Sequence, residues 1–382
     1  MSSFALSPAA EVRLGPDSLT AASDWLSARS VSEAFVLADP FMASSGVTDR
    51  LADTLSQSGI SMTLFTEFSA EPTLDVCEAA TAAARMARAD AIIGLGGGSA
   101  LDMAKIVGVA VAGGGRVSDY VMQAQPLPTS LPPRIAIPTT AGTGSEASGT
   151  NIVMLENGRK GWVWGEETKP DLILLDPELS TSLPAHLTAW TGMDAIVHAF
   201  EAATNKYSHR GARLYAHQAL RLAATALPRA VAEPDNLDAR SDMLLASYYA
   251  GRAIDMCSCS IAHALSHACA ALAPVHHGLA TALSFEVSLP MLTSRPSDLV
   301  EQAAQAFGGC GAGELPEFLS DFFDRIELKR ELPAAFGQID IDEFMALLGT
   351  DEIAPIRAAC AVWADDQMMA SFARKLFSYA RS

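Results

Sequence analysis

A chain of 382 residues that is 49% hydrophobic and only 18% charged can bury a large core, which excludes a disordered protein and suits two domains. A formal net charge of -18 repels phosphate backbones and argues against nucleic acid as a partner. The six cysteines (Cys77, Cys257, Cys259, Cys269, Cys310 and Cys360) form no CxxC pair. The first residues lack a basic segment followed by an apolar one, and no apolar run reaches the roughly 20 residues of a membrane helix. The expectation is a cytoplasmic protein of a reducing compartment, with no membrane partner.

In chain order, Phe35–Ala38 reads as a strand that Asp39-Pro40 ends, and Ser61–Phe65 as a second. Ala91–Leu95 is a third, running into Gly96-Gly97-Gly98. Arg134–Ile137 is a fourth, stopped by Pro138, and Asp171–Leu175 a fifth, stopped by Asp176-Pro177. Helical stretches at Thr48–Gln57 and Leu74–Arg88 separate the early strands, an alternation that predicts a parallel α/β sheet. Ile152–Leu155 and Arg159–Trp164, joined by Glu156-Asn157-Gly158, read as a hairpin. Past Pro184 helical periodicity takes over to the end of the chain, with breaks near Pro228, Pro234, Pro274, Pro290, Pro296, 308–313 and Pro333. The reading is an α/β domain at 1–184 and an all-helical domain at 185–382.

Two glycine-rich loops follow strands. GGGSALDMAK at 96–105 opens a helix, where glycines allow close backbone approach and the helix start offers unpaired N–H groups to a phosphate. It is not a GxGxxG, and a sharp strand-to-helix turn would also require glycine. PTTAGTGSE at 138–146 stacks hydroxyls at the end of the fourth strand, where open α/β sheets bind ligands. Ser145 there could also serve as an N-cap. Asp39 is either a turn residue or an acceptor for a ribose hydroxyl, and in the latter role its charge favours NAD over NADP.

Asp194 and His198 stand four apart in a predicted helix over Thr191–Ala203, and His263 and His267 repeat that spacing in Ile261–Ala270. His276 and His277 follow a loop. Each pair alone reads as ordinary surface or core polarity, but the conjunction of a carboxylate and imidazoles in an alanine-rich setting suits a divalent first-row ion, Fe(II) or Zn(II). His186, His209 and His217 read as structural or solvated. Cys257 and Cys259 form a CxC that could be a soft metal site or two small buried hydrophobes.

Together these segments resemble the iron-containing (group III) alcohol dehydrogenases, from Asp39 to at least His277. TGMDAIVHAFEA at 191–202, HALSHACA at 263–270 and HHG at 276–278 look like that family's metal segments, and the two glycine loops like its nucleotide loops. The resemblance implies a Rossmann-like dinucleotide-binding domain followed by an all-α metal-binding domain, the architecture of the dehydroquinate synthases. It implies Asp194, His198, His263 and His277 as metal ligands, and His267 as the catalytic histidine that moves the proton. Gly97, Gly98, Ser99, Asp102, Thr139, Thr140 and Thr143 carry over as cofactor-binding residues, with Asp39, Asn151, Lys160 and Leu179. The implied activity is NAD(H)-linked interconversion of a small primary alcohol or diol and its aldehyde, in a homodimer. Same-fold alternatives are glycerol dehydrogenase, maleylacetate reductase, a phosphono- or sulfo-aldehyde reductase, and dehydroquinate synthase chemistry. A non-catalytic metal- or nucleotide-binding protein lies outside them. The chain departs from the family at Ala70-Glu71-Pro72, where many members have Pro-Asn-Pro. It departs again at 254–259, where the usual Phe-Ser-Asn gives way to Ile-Asp-Met-Cys-Ser-Cys, and at His276, which replaces a common proline.

Overall fold

A computed structural model describes residues 4, 6, 7, 9–68, 72–155 and 159–381. The Ala70-Glu71 departure and the Glu156-Asn157-Gly158 turn lie outside these residues. Two compact units emerge: Ser7–Thr140 with Gly144–Ser182, and Leu183–Ser382 with Met1–Leu6 and Ala141–Thr143.

The first unit is built on a six-stranded sheet. Its strands are β1 (Glu11–Leu14), β2 (Glu33–Ala38), β3 (Ser61–Phe65), β4 (Ala91–Gly96), β5 (Arg134–Pro138) and β8 (Leu172–Leu175), and every pairing is parallel, in the order β1-β8-β5-β4-β2-β3. The five strands expected from sequence are all present, and β1 was not foreseen. Strands β6 (Thr150–Met154) and β7 (Lys160–Trp164) form the separate antiparallel hairpin. Helices α1 (Ala21–Ser27), α2 (Pro40–Ser44), α3 (Val47–Ser56), α4 (Leu74–Met86) and α5 (Gly98–Gly113) connect the strands. Alternation along β2 explains the layering. Val36 and Ala38 pack with Leu51 and Leu55 of α3, while Phe35 and Leu37 pack with Ala80 of α4 and Met103 of α5. With both faces covered, the strands read as nearly continuous apolar runs.

The second unit consists of α6 (Ala185–Thr204), α7 (Arg210–Ala232), α8 (Leu237–Cys257), α9 (Ile261–Leu272), α10 (His277–Thr293), α11 (Asp298–Gly308), α12 (Leu315–Arg325), α13 (Ile341–Leu347), α14 (Ala354–Ala358) and α15 (Asp366–Phe377). Its centre is rich in alanine: Ala195, Ala199, Ala202 and Ala203 of α6 are buried with Ala212, Ala216, Ala219 and Ala223 of α7. Side chains this short let helix axes approach closely. Helix α6 begins six residues earlier than its pattern of polar residues suggested, because Pro184 at its N-cap marks the true start. No helix among the described residues is long and apolar enough to cross a membrane.

Candidate active site

In the α/β unit the chain runs from β2 outward to β3 on one side and then places β4 on the other. The carboxyl ends of β2 and β4 therefore flank a topological switch point, where open sheets of this kind take their ligands. Asp39 follows β2 there, and its N–H donates to the Leu95 carbonyl at 3.0 Å. Gly96 ends β4 at φ +151°, and a Cβ on it would lie 2.9 Å from Ala100 Cβ and 3.1 Å from Asp39 Cβ, so only glycine fits. Helix α5 starts at Gly98 after Gly97, and no side chain caps it, so its first-turn N–H groups are not taken up by a capping side chain. Thr139 N–H donates to the Gly96 carbonyl at 3.0 Å, and Thr140 lies beside Gly97, which brings the second loop against the first.

Buried polar contacts brace these loops. Asp102 accepts from the Ser145 hydroxyl and from Ile152 N–H at 2.9 Å. The buried Lys105 ammonium donates to the carbonyls of Ser145 at 2.7 Å and Ser148 at 3.1 Å, and lies 3.5 Å from Asp102. Asp102 thus ties α5 to the second loop and the hairpin. Asp39 Oδ1 caps α2 by accepting from Phe41 N–H at 2.8 Å. Asn151 donates to Val163 O and Gly149 O across the hairpin, and Lys160 starts β7. Leu179 is packed into the apolar cluster behind the sheet.

In the helical unit, Asp194, His198 and Glu201 project from one face of α6 at positions i, i+4 and i+7. His263 and His267 come from α9, and His277 from the first residue of α10. Gly278 lets α10 start hard against α6, since a Cβ there would lie 2.3 Å from the Trp190 carbonyl oxygen. Asp194 Oδ1 lies 3.4 Å from His263 Nε2 and 3.6 Å from His277 Nε2. The His198 ring stacks on His263 with centroids 4.3 Å apart, and His198 Nδ1 lies 3.4 Å from the carbonyl of Gly142. The His267 ring is 5.5 Å from that of His277 and 6.3 Å from that of His263. Thr143 adjoins Gly142 in the same unit.

Glu201 is the functional residue that sequence reasoning missed. Its carboxylate accepts from His263 Nδ1 at 2.6 Å, from Ser260 N–H at 2.7 Å and from Ala262 N–H at 2.6 Å. It caps α9 and fixes the His263 ring with Nε2 directed towards Asp194, the carboxylate–histidine relation that orients metal-bound imidazoles. The available signal was a glutamate at i+7 from Asp194, on the Asp194–His198 face of an otherwise apolar helix.

The electrostatics call for a cation. Asp194 and Glu201 are both 2% exposed, and the ion pairs they make among the described residues are with histidines. Asp194 Oδ1 and His263 Nε2 are buried and have no hydrogen-bond partner there. Burial would raise the Asp194 carboxyl, yet the neighbouring histidines hold it well below the usual range. Burial drives His198 down to about 4, against the pull of Asp194. For His263 burial is overcome by the charge of Glu201 and by its carboxylate partners, which raise it to about 9. The two stacked rings are thus pushed in opposite directions, and the donor set (a carboxylate and imidazoles) fits a divalent ion.

The other histidines serve structure. His276 caps α10 by accepting from Gly278 N–H at 3.2 Å and packs on Trp190, which His186 also touches. His209 caps α7 and stacks on Phe4. His217 is half-buried beside Arg213 and Arg221. Cys257 is a buried thiol hydrogen-bonded to Ala253 O at 3.1 Å. Cys259 differs. Its Sγ and the ring nitrogens of His198 and His263 lie within 4.8 Å of one another, and burial, with the Glu201 and Asp194 carboxylates, pushes its thiol well above the usual range.

Comparison with known proteins places these features in a family. The family model for iron-containing alcohol dehydrogenase matches residues 9–177, and that for the C-terminal region of the Fe-containing alcohol dehydrogenase family matches 188–358. The chain is 37% identical over 271 residues to a probable alcohol dehydrogenase EutG of Escherichia coli (strain K12), across 70% of this chain and 68% of that protein. It is 32% identical over 321 residues to long-chain-alcohol dehydrogenase 1 of Geobacillus thermodenitrificans (strain NG80-2), across 84% and 80% of the two chains. Among solved structures, the sulfoacetaldehyde reductase of Bifidobacterium kashiwanohense in complex with NAD+ is similar with a TM-score of 0.91 and 26% identity, across 99% of this chain and 100% of that one. On the strength of both halves and of relatives spanning most of its length, the chain belongs to the iron-containing alcohol dehydrogenase family.

Proposed function

We propose that this protein is an NAD(H)-linked, divalent-metal-dependent alcohol dehydrogenase that interconverts a small primary alcohol or diol and its aldehyde. The observation that carries the reading is the convergence of Asp194, His263 and His277 donor atoms within 4.8 Å of one another, with His198 stacked on His263. Asp194, His198, His263 and His277 would hold the ion, Fe(II) or Zn(II). Bound there, such an ion supplies Lewis acidity that stabilises an alkoxide or polarises a carbonyl. Bound NAD supplies the hydride acceptor.

The chain's own groups do the remaining work. Gly97, Gly98 and Ser99 offer helix-start N–H groups to the pyrophosphate, and Thr139, Thr140 and Thr143 offer hydroxyls along the second loop. Asp102 holds those loops in register. Asp39 accepts from a ribose hydroxyl and disfavours the 2′-phosphate of NADP. Asn151, Lys160 and Leu179 complete or back the cofactor surface. Glu201 holds His263 in one tautomer. His267, beside the ligand histidines, carries the proton between substrate oxygen and solvent. The α/β domain (1–184) is the dinucleotide domain and the helical domain (185–382) the metal and substrate domain. We assign the protein to the cytoplasm as a homodimer.

A second reading has a specific basis. Residues Ile254–Cys259 depart from the family pattern next to His263, and the chain is 37% identical over 252 residues to the sulfoacetaldehyde reductase of Bilophila wadsworthia. A functionalised aldehyde, reduced with NADH, would be the substrate. The deciding experiment follows NADH formation and consumption with panels of alcohols and aldehydes, with NAD(H) and NADP(H), on protein of assayed metal content. Metal-dependent turnover that favours NAD(H) supports the proposal. Stoichiometric metal and nucleotide binding without turnover across both panels would overturn it in favour of a binding protein.

A further inference from the structure

Two triads of donor atoms share His263. One is Asp194, His263 and His277, and the other is His198, Cys259 and His263, each within 4.8 Å. The four-ligand reading above uses both triads except for the thiol. Cys259 lies between α8 and α9 in a segment the protein fixes closely. Ser258, just before it, sits at φ +85°, which side chains rarely adopt, and Asn205 holds that turn by donating to Ser258 O at 2.7 Å. On the other side, Ser260 N–H is held by Glu201. The thiol is thereby anchored from both flanks. Cys257 spends its Sγ on Ala253 O, whereas Cys259 makes no hydrogen bond among the described residues. The His263 ring, on a residue only 1% exposed, offers a nitrogen to the same space as the Cys259 thiol.

We propose that Cys259 is a fifth donor to the ion, its thiolate completing a set of one oxygen, three nitrogens and one sulfur, and that this soft donor shifts the chain's preference from iron towards zinc. The inference rests on the four-ligand reading. On binding, the thiol proton passes to solvent as the sulfur–metal bond forms, with no change of oxidation state. Softer ligands favour zinc over Fe(II) among first-row ions, whereas an all-nitrogen-and-oxygen set leaves the two closer.

The test uses cobalt(II) as a probe on reduced, metal-stripped full-length protein. Wild type is expected to bind one cobalt and show near-ultraviolet thiolate-to-cobalt charge-transfer absorption. In Cys259→Ser that absorption disappears while cobalt stoichiometry and the visible bands persist, and in Cys257→Ser it remains. Competition between zinc and Fe(II) should show a smaller zinc preference in Cys259→Ser than in wild type. Cobalt bound by wild type without charge transfer, or charge transfer that survives in Cys259→Ser, overturns the thiol as ligand and leaves the other four standing. Failure of wild type to bind cobalt sinks the four-ligand reading, and this one with it.

Discussion

The glycine loops and the histidine cluster are made of different material. Around Gly96–Gly98 the groups proposed to meet the dinucleotide are backbone amides, and what matters is the absence of side chains. Around Asp194 the functional groups are side chains from three helices, and the backbone only delivers them. The loop region should therefore tolerate deletion and suffer from addition, and the cluster should do the reverse.

The largest expected effect is deletion in the cluster. His263→Ala removes the residue common to both donor triads and leaves Glu201 buried without its imidazole. Metal content by elemental analysis should fall from near-stoichiometric to background, and turnover with it. Full activity and metal content in this variant would break the ligand assignment. Glu201→Gln is subtler, since it keeps the ring but changes what orients it. Metal affinity should fall by roughly 10- to 100-fold, read by chelator competition with helix content unchanged by circular dichroism. An unaltered affinity would reduce Glu201 to a helix cap. The smallest effect is the addition of one methyl group to the loop. Gly96→Ala places a Cβ against Ala100 and Asp39 at a left-handed φ and should cost about 1–3 kcal/mol of stability in chemical denaturation. It should raise KM for the dinucleotide and spare metal content. If it disturbs the metal instead, the comparison fails.

The same contrast explains what the sequence made legible. The loops are contiguous, so a strand, a glycine run and a helix start are visible together at 91–105. Asp194 and His198 were visible because one helix carries both. Glu201 was not, because its partners (His263 and the amides of Ser260 and Ala262) lie about 60 residues on, and its place on the Asp194–His198 face does not say what that face meets. Strand β1 was overlooked because Glu11-Val12-Arg13-Leu14 is a short, mostly exposed edge segment whose place is set by pairing with β8 rather than by its own pattern. His276 looked like a ligand candidate by adjacency to His277, and the structure gives it the neighbouring helix cap. Periodicity identifies which face a residue occupies, and only tertiary contact says what that face meets.

Glu201 has a consequence for how the protein acquires its ion. It grips His263 and the first amides of α9 through contacts that form with the chain alone. The receptor is cast during folding, and most of the ordering entropy is spent before any ion arrives. The stripped protein should therefore keep its fold when the ion is removed and take an ion up again without refolding.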